Sequence, residues 1–341
     1  MEHSSSTAIS LPGKDFLNLS GTIVGMTAHE FFHLWNVKRI RPQSLEPIDY
    51  SKENYTTALW FSEGVDSTVA SYITLRARLL DEGPYLKHLS EEITELENRP
   101  AHLTQSAEQS SLDAWLERYP YYGLPERSIS YYNKGELLGV LLDLSMRQAS
   151  DDHASLRELF RSMNERYAKA GKFFADSEAV RQTAELVSHA DLSDFFRNYV
   201  SGVEEIPWDK FFGPVGLHVS NRVLEFAEPG FVAVQQFDQP PTVAEIKPGG
   251  PADSAGLKVG DIIVGVNGQN PGRQVNREIA GLVPGTVVRL SVSRGSSRSE
   301  LAWKLETSRH TVYQLVERQD ATAEDRARRT AWLFGESRAG P

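Results

Sequence analysis

The stretch Thr27-Ala28-His29-Glu30-Phe31-Phe32-His33-Leu34-Trp35-Asn36 decides how this chain is read. Two histidines stand four residues apart, with a glutamate directly after the first. On an α-helix, positions i and i+4 share one face, with Cβ atoms about 5–6 Å apart. Two imidazoles so placed can bind one metal ion, and Glu30 can reach a water on that ion. The surrounding pattern is helical from Thr22. Val24, Ala28, Phe32 and Trp35 fall on one side and read as core, while Met26, His29, His33 and Asn36 fall on another and read as the wall of a site. Pro42 limits this helix, and Lys38, Arg39 and Arg41 near its end suit the negative end of the helix dipole.

A catalytic zinc takes three protein ligands and keeps one position open for water. The 341 residues contain no cysteine, which removes disulfides, thiolate metal sites and a cysteine nucleophile together. A metal here must be held by histidine or carboxylate. The best third candidate is Glu63, in Trp60-Phe61-Ser62-Glu63-Gly64, on a second helix read from about Thr57 to Leu80. Histidine, histidine and glutamate with one water suit zinc, so His29, His33 and Glu63 are expected to hold one Zn²⁺ per chain.

Outward from this centre the chain reads as α+β and multidomain. Residues 84–120 look helical, with a polar connector at 104–111. A strongly apolar helix begins at Tyr131-Tyr132-Asn133-Lys134-Gly135 and runs through Leu144; an all-round apolar helix of this length is buried and is too short to span a membrane. Further helices are read near 154–170, 176–187 and 191–200. After Phe212-Gly213-Pro214 the composition shifts to β-branched runs between glycine and proline turns as far as residue 318, and Ala321 to Phe334 reads as a terminal helix. The expected domains are 1–215, 216–318 and 319–341.

The formal net charge is -10 with no long basic run, which argues against nucleic acid or an anionic membrane as a partner. No apolar run approaches a transmembrane span. Met1 to Ser6 lacks the regions of a signal peptide, so the chain reads as cytoplasmic as it stands. Its true compartment is unknown from the sequence, because an export signal would lie upstream of Met1.

Taken together, His29 through Pro42, Trp60-Phe61-Ser62-Glu63-Gly64 and Ser130-Tyr131-Tyr132-Asn133-Lys134-Gly135 resemble the PDZ-bearing glycyl aminopeptidases, zinc peptidases with a thermolysin-like catalytic domain. The resemblance covers nearly the whole chain and implies roles. His29, His33 and Glu63 ligate zinc. Glu30 is the general base. Tyr132 donates to the oxyanion, with Tyr131 the competing position. Glu2, in Met1-Glu2-His3, matches the end of the Gly-x-Met-Glu-Asn type motif and binds the substrate ammonium by a charge-assisted hydrogen bond. The chain begins inside that motif, so it is either N-terminally truncated or completed by another chain, as in a homo-oligomer. Val65-Asp66 departs from the aromatic and threonine common at that place in relatives, and Asp66 is suited to orient a zinc-bound imidazole.

Thr242 to Gly268 resembles a bacterial protease PDZ domain. Pro251 to Gly256 makes a short helix, Ile262 to Val266 a strand, and Asn267-Gly268 a hairpin turn. Gly230-Phe231-Val232 is the candidate carboxylate loop. Such a domain either captures peptide C-termini by strand addition or packs on the catalytic domain. The expected function is hydrolysis of peptides from small N-terminal residues, glycine or alanine. The alternatives are a zinc endopeptidase, and a non-catalytic PDZ protein on a peptidase scaffold.

Overall fold

The computed structural model describes residues 6–9, 21–116, 125–235, 239–272 and 275–335. It divides into two compact units, residues 1–221 with 313–341, and residues 222–312. The first is helical and the second is β-rich, the α+β arrangement read from the sequence. Among the described residues no helix is long and apolar enough to cross a membrane.

In the first unit, α1 spans Gly21–Phe32, α2 Val65–Arg76, α3 Glu82–Glu97, α4 Ala107–Leu112, α5 Tyr131–Ala149, α6 Leu156–Met163 and α7 Asp176–Ser188. The centre is α5. Leu137, Leu138, Val140, Leu141 and Leu142 are all fully buried, each contributing about 1.5–3 kcal/mol of apolar burial. Ser130 caps this helix, its Oγ accepting from Tyr132 N at 3.2 Å and Asn133 N at 3.3 Å. α4 overlaps the stretch expected to be a polar connector: Ser106 caps it, and Ser110 and Ser111 are buried because their hydroxyls bond Ile129 O and Ala107 O.

Two expectations about the helices around the metal motif need correction. α1 stops at Phe32 and does not run toward Pro42. Leu34 N and Trp35 N bond three residues back, to Phe31 O and Phe32 O, the tightening typical of a helix end. Asn36 then turns into the core, where its Nδ2 donates to Phe61 O at 3.1 Å and Asp66 Oδ1 at 2.6 Å. Lys38 and Arg39 therefore sit on turns and Arg41 lies just beyond them, paired with Glu46 at 3.2 Å. The second helix also differs: Trp60–Gly64 is a π-helical turn leading into α2, a feature often found at functional sites.

That turn explains two motif glycines. It lies directly against α5, and a Cβ on Gly64 would stand 2.5 Å from the Gly135 Cα. A Cβ on Gly135 would press on Gly64 Cα and on the Trp60 carbonyl. The backbones touch, so Glu63 is carried close to the start of α5. Gly135→Ala is expected to cost about 1–3 kcal/mol through overpacking and to lower Tm by about 2–4 °C per kcal/mol; an unchanged thermal melt would show the crossing to be looser than described.

The terminal helix, Ala323–Phe334, belongs to the first unit, not to a separate tail. A capping box of Thr322 and Asp325 starts it. Trp332 is fully buried, and its Nε1 donates to Tyr72 OH at 2.5 Å. The β-rich unit is correspondingly shorter than 216–318, because Leu315 is already buried in the helical core and its N–H donates to Ser90 Oγ at 2.9 Å.

β1, Leu217–Glu228, pairs with β7, Glu306–Glu317. Between them lie β2 Phe231–Val234, β3 Thr242–Ile246, β4 Ile262–Val266, β5 Val287–Arg294 and β6 Ser297–Lys304, an antiparallel sheet in that spatial order. β5 alternates, with Val288, Leu290 and Val292 inward. Asn267 and Gly268 take φ +49 and +78, which suits a hairpin turn. Buried Asp261 receives Arg294 at 2.6 and 2.7 Å.

Candidate metal centre

The end of α1, the π-turn and the start of α5 bring their functional side chains to one place. Nε2 of His29 lies 3.1 Å from Glu63 Oε2, and Nε2 of His33 lies 3.4 Å from the same oxygen. The two imidazoles stand edge to face, with ring centroids 4.6 Å apart. One ligand atom from each of the three residues fits within 4.8 Å of the other two. Tyr132, in the first turn of α5, has its ring centroid 6.3 Å from that of His29. Glu30 lies on α1 one position past His29, and Thr7 Oγ1 donates to its Oε2 at 3.2 Å. Glu2 lies outside the described residues.

The outer contacts fix the rings. His33 Nδ1 is 2.9 Å from Asn36 O and 2.9 Å from Asp66 Oδ2. The backbone carbonyl of Asn36 can only accept, so Nδ1 carries the proton and Nε2 is turned toward Glu63. Asp66 is fully buried and is held in turn by Asn36. On the other ring, His29 Nδ1 lies 3.5 Å from Ser67 Oγ, which also donates to Glu63 O at 3.2 Å. Ser67 was not read from the sequence, although its place four residues after Glu63 on a helix was available. Asn36 was read only as site wall; its tie to Asp66 depends on the end of α1, which periodicity does not show.

The electrostatics call for positive charge. Burial pulls His33 down, but hydrogen bonds and charge from Asp66 and Glu63 outweigh it and carry the ring up to about 11. Burial pushes Glu63 up, but His29 and His33 overcome it and hold the carboxyl down to about 2. Burial pushes Asp66 up to about 7, against the pull of His33 and Asn36. Without a metal, a proton on His33 Nε2 satisfies Glu63; a divalent cation competes for that same position. Two imidazole nitrogens and one carboxylate oxygen, facing one another and oriented from behind, are a donor set that fits zinc. Asp66→Asn removes the buried charge behind His33 and is expected to weaken zinc binding by about 10–100-fold, measured by competition with a chromophoric chelator.

Among the described residues, one other group of this kind is His88, Glu92 and Glu136. His88 Nε2 is paired with Glu136 at 2.9 Å and Asn133 Nδ2 donates to Glu92 at 2.6 Å, so it is accounted for as an ion pair.

A histidine–glutamate centre on packed helices, followed by a small PDZ-like sheet, gives the chain the form of a peptidase-type scaffold. The comparisons agree. Residues 22–138 match the M61 glycyl aminopeptidase family and residues 242–294 match the PDZ domain. The fold is similar to that of an aminopeptidase N family protein from Idiomarina loihiensis, with a TM-score of 0.67 and 24% identity over 96% of this chain and 57% of that one. This chain thus spans little more than half of that protein. Weaker likenesses include the serine endoprotease from Yersinia pestis (TM-score 0.22, 25% identity, 26% of this chain and 30% of that chain). Another is a PDZ domain protein from Parabacteroides distasonis (TM-score 0.21, 19% identity, 30% of this chain and 23% of that chain). No curated protein matches. The PDZ match starts at Thr242, so the candidate carboxylate loop Gly230-Phe231-Val232 precedes it. In the structure that loop is the entry to β2, with Gly230 at φ +77 and Phe231 buried.

Proposed function

We propose that this chain is a zinc metallopeptidase that hydrolyses peptides with water, releasing small N-terminal residues such as glycine or alanine. The observation that carries the reading is one carboxylate oxygen, Oε2 of Glu63, facing Nε2 of both His29 and His33. The match of residues 22–138 to the glycyl aminopeptidase family supports both the reaction and the small-residue preference.

Zinc, when bound, supplies Lewis acidity toward a carbonyl and lowers the pKa of a water toward ~7. His29, His33 and Glu63 would hold it, and Asp66 would keep the Nδ1 proton of His33 in place. Glu30 takes the proton of the attacking water on a carboxylate oxygen and passes it to the leaving amine, a role worth about 10²–10⁴ in rate. The Tyr132 hydroxyl donates to the carbonyl oxygen as it gains charge. Glu2 would pair with the substrate ammonium. The second unit would dock extended peptides or peptide C-termini.

Matched substrates test the exopeptidase reading. Glycyl- and alanyl-anilides with free amines are expected to turn over, whereas the N-acetylated forms are not. Equal cleavage of acetylated peptides would make the enzyme an endopeptidase.

A further inference from the structure

β2 is the outer strand of its sheet and pairs with β3 on one side only. An open strand edge presents main-chain donors and acceptors to any chain that can add to it. Here one rung of that edge is already taken from within the same unit. Ala233 N–H donates to Oδ1 of Asn276 at 2.9 Å, and Nδ2 of the same carboxamide donates to Ala233 O at 2.8 Å. In an antiparallel sheet, a hydrogen-bonded residue pair exchanges both N–H···O bonds in this way. The carboxamide of Asn276 therefore does what one residue of an incoming strand would do.

Its setting suits a clasp that can open. Asn276 sits on the short helix Val275–Ala280, whose Val275 and Ile279 are buried in the core of the unit. Those anchors fix the helix, while Asn276 itself is only partly buried. Rotation of its side chain frees the rung without moving the backbone, and water can then solvate the released amide. Ala233 contributes only a methyl group, so it does not screen its own N–H and C=O from an approaching chain.

We propose that Asn276 is a built-in stand-in for ligand backbone: it holds the Ala233 rung in the free protein, and an extended peptide must displace it to pair with β2. The proposal rests on the reading of the second unit as a peptide-docking module. It implies that the free groove is self-occupied and that peptide affinity is held down by the strength of two hydrogen bonds. Net hydrogen bonds of this type are modest, so an expected gain of about three- to tenfold follows when the clasp is removed.

The test uses the 341-residue chain and its Asn276→Ala variant. Binding is measured by fluorescence anisotropy with a fluorescein-labelled heptapeptide that has an apolar last residue and a free C-terminal carboxylate; the label also blocks its amine. Amide hydrogen exchange at Ala233 is followed in both proteins. The proposal expects slow exchange at Ala233 in the original chain, exchange at least about tenfold faster in the variant, unchanged protection of the amides bonded to β3, and about three- to tenfold tighter peptide binding by the variant. Equal affinity in the two proteins would overturn the clasp while leaving peptide docking intact. Weaker binding by the variant would also overturn it and make Asn276 a direct ligand contact. Binding by neither protein would refute the docking reading itself, and the clasp with it.

Discussion

Replacing Glu30 by glutamine is expected to lower kcat on glycyl- and alanyl-anilides by about 10²–10⁴, the usual worth of a positioned general base. Glutamine has the same length and can still accept the hydrogen bond that Thr7 Oγ1 gives to Glu30, so packing and metal content should not change. KM should move little, since the group acts on the attacking water more than on bound substrate. Full activity in Glu30→Gln would remove Glu30 from catalysis, and a parallel loss of zinc would make its role structural.

The two histidines are expected to separate when each is replaced by alanine. Either change leaves two ligands, so zinc binding should fall by more than the 10–100-fold of an outer-partner substitution, and hydrolysis should disappear with it. Stability should not fall equally. Behind His29 stands Ser67, a neutral hydroxyl. Behind His33 stands Asp66, fully buried and 2.9 Å from its Nδ1. Removing one partner of a buried ion pair costs about 3–5 kcal/mol. At about 2–4 °C per kcal/mol for a domain of this size, His33→Ala should melt roughly 6–20 °C below the original chain, and His29→Ala much closer to it. Thermal melts of metal-free protein decide this; equal Tm values would mean that Asp66 does not depend on His33.

These expectations separate what local pattern encodes from what packing adds. The two histidines were legible because one turn of helix fixes their relation, and turn chemistry made Asn267-Gly268 and the Pro251 helix start legible in the same way. Glu63 could be named from its motif, but not its position on a π-turn, because that geometry is imposed by the backbone contact of Gly64 with Gly135. The early end of α1 was hidden for a similar reason: the stop comes from Asn36 bonding Phe61 and Asp66, residues far along the chain. The terminal helix was read from the charged, alanine-rich stretch Ala321 to Phe334, yet nothing in that stretch says that Trp332 ends against Tyr72. The Asn276 clasp is likewise a contact between residues 43 positions apart that no periodicity announces.

The most direct measurement is the metal content of the purified 341-residue chain, taken together with its hydrolysis of alanyl-anilide before and after chelation. One zinc per chain is expected, with activity that is lost on chelation and returns when zinc is added back. Hydrolysis that continues after every bound metal has been removed would contradict the placement of a catalytic cation between His29, His33 and Glu63.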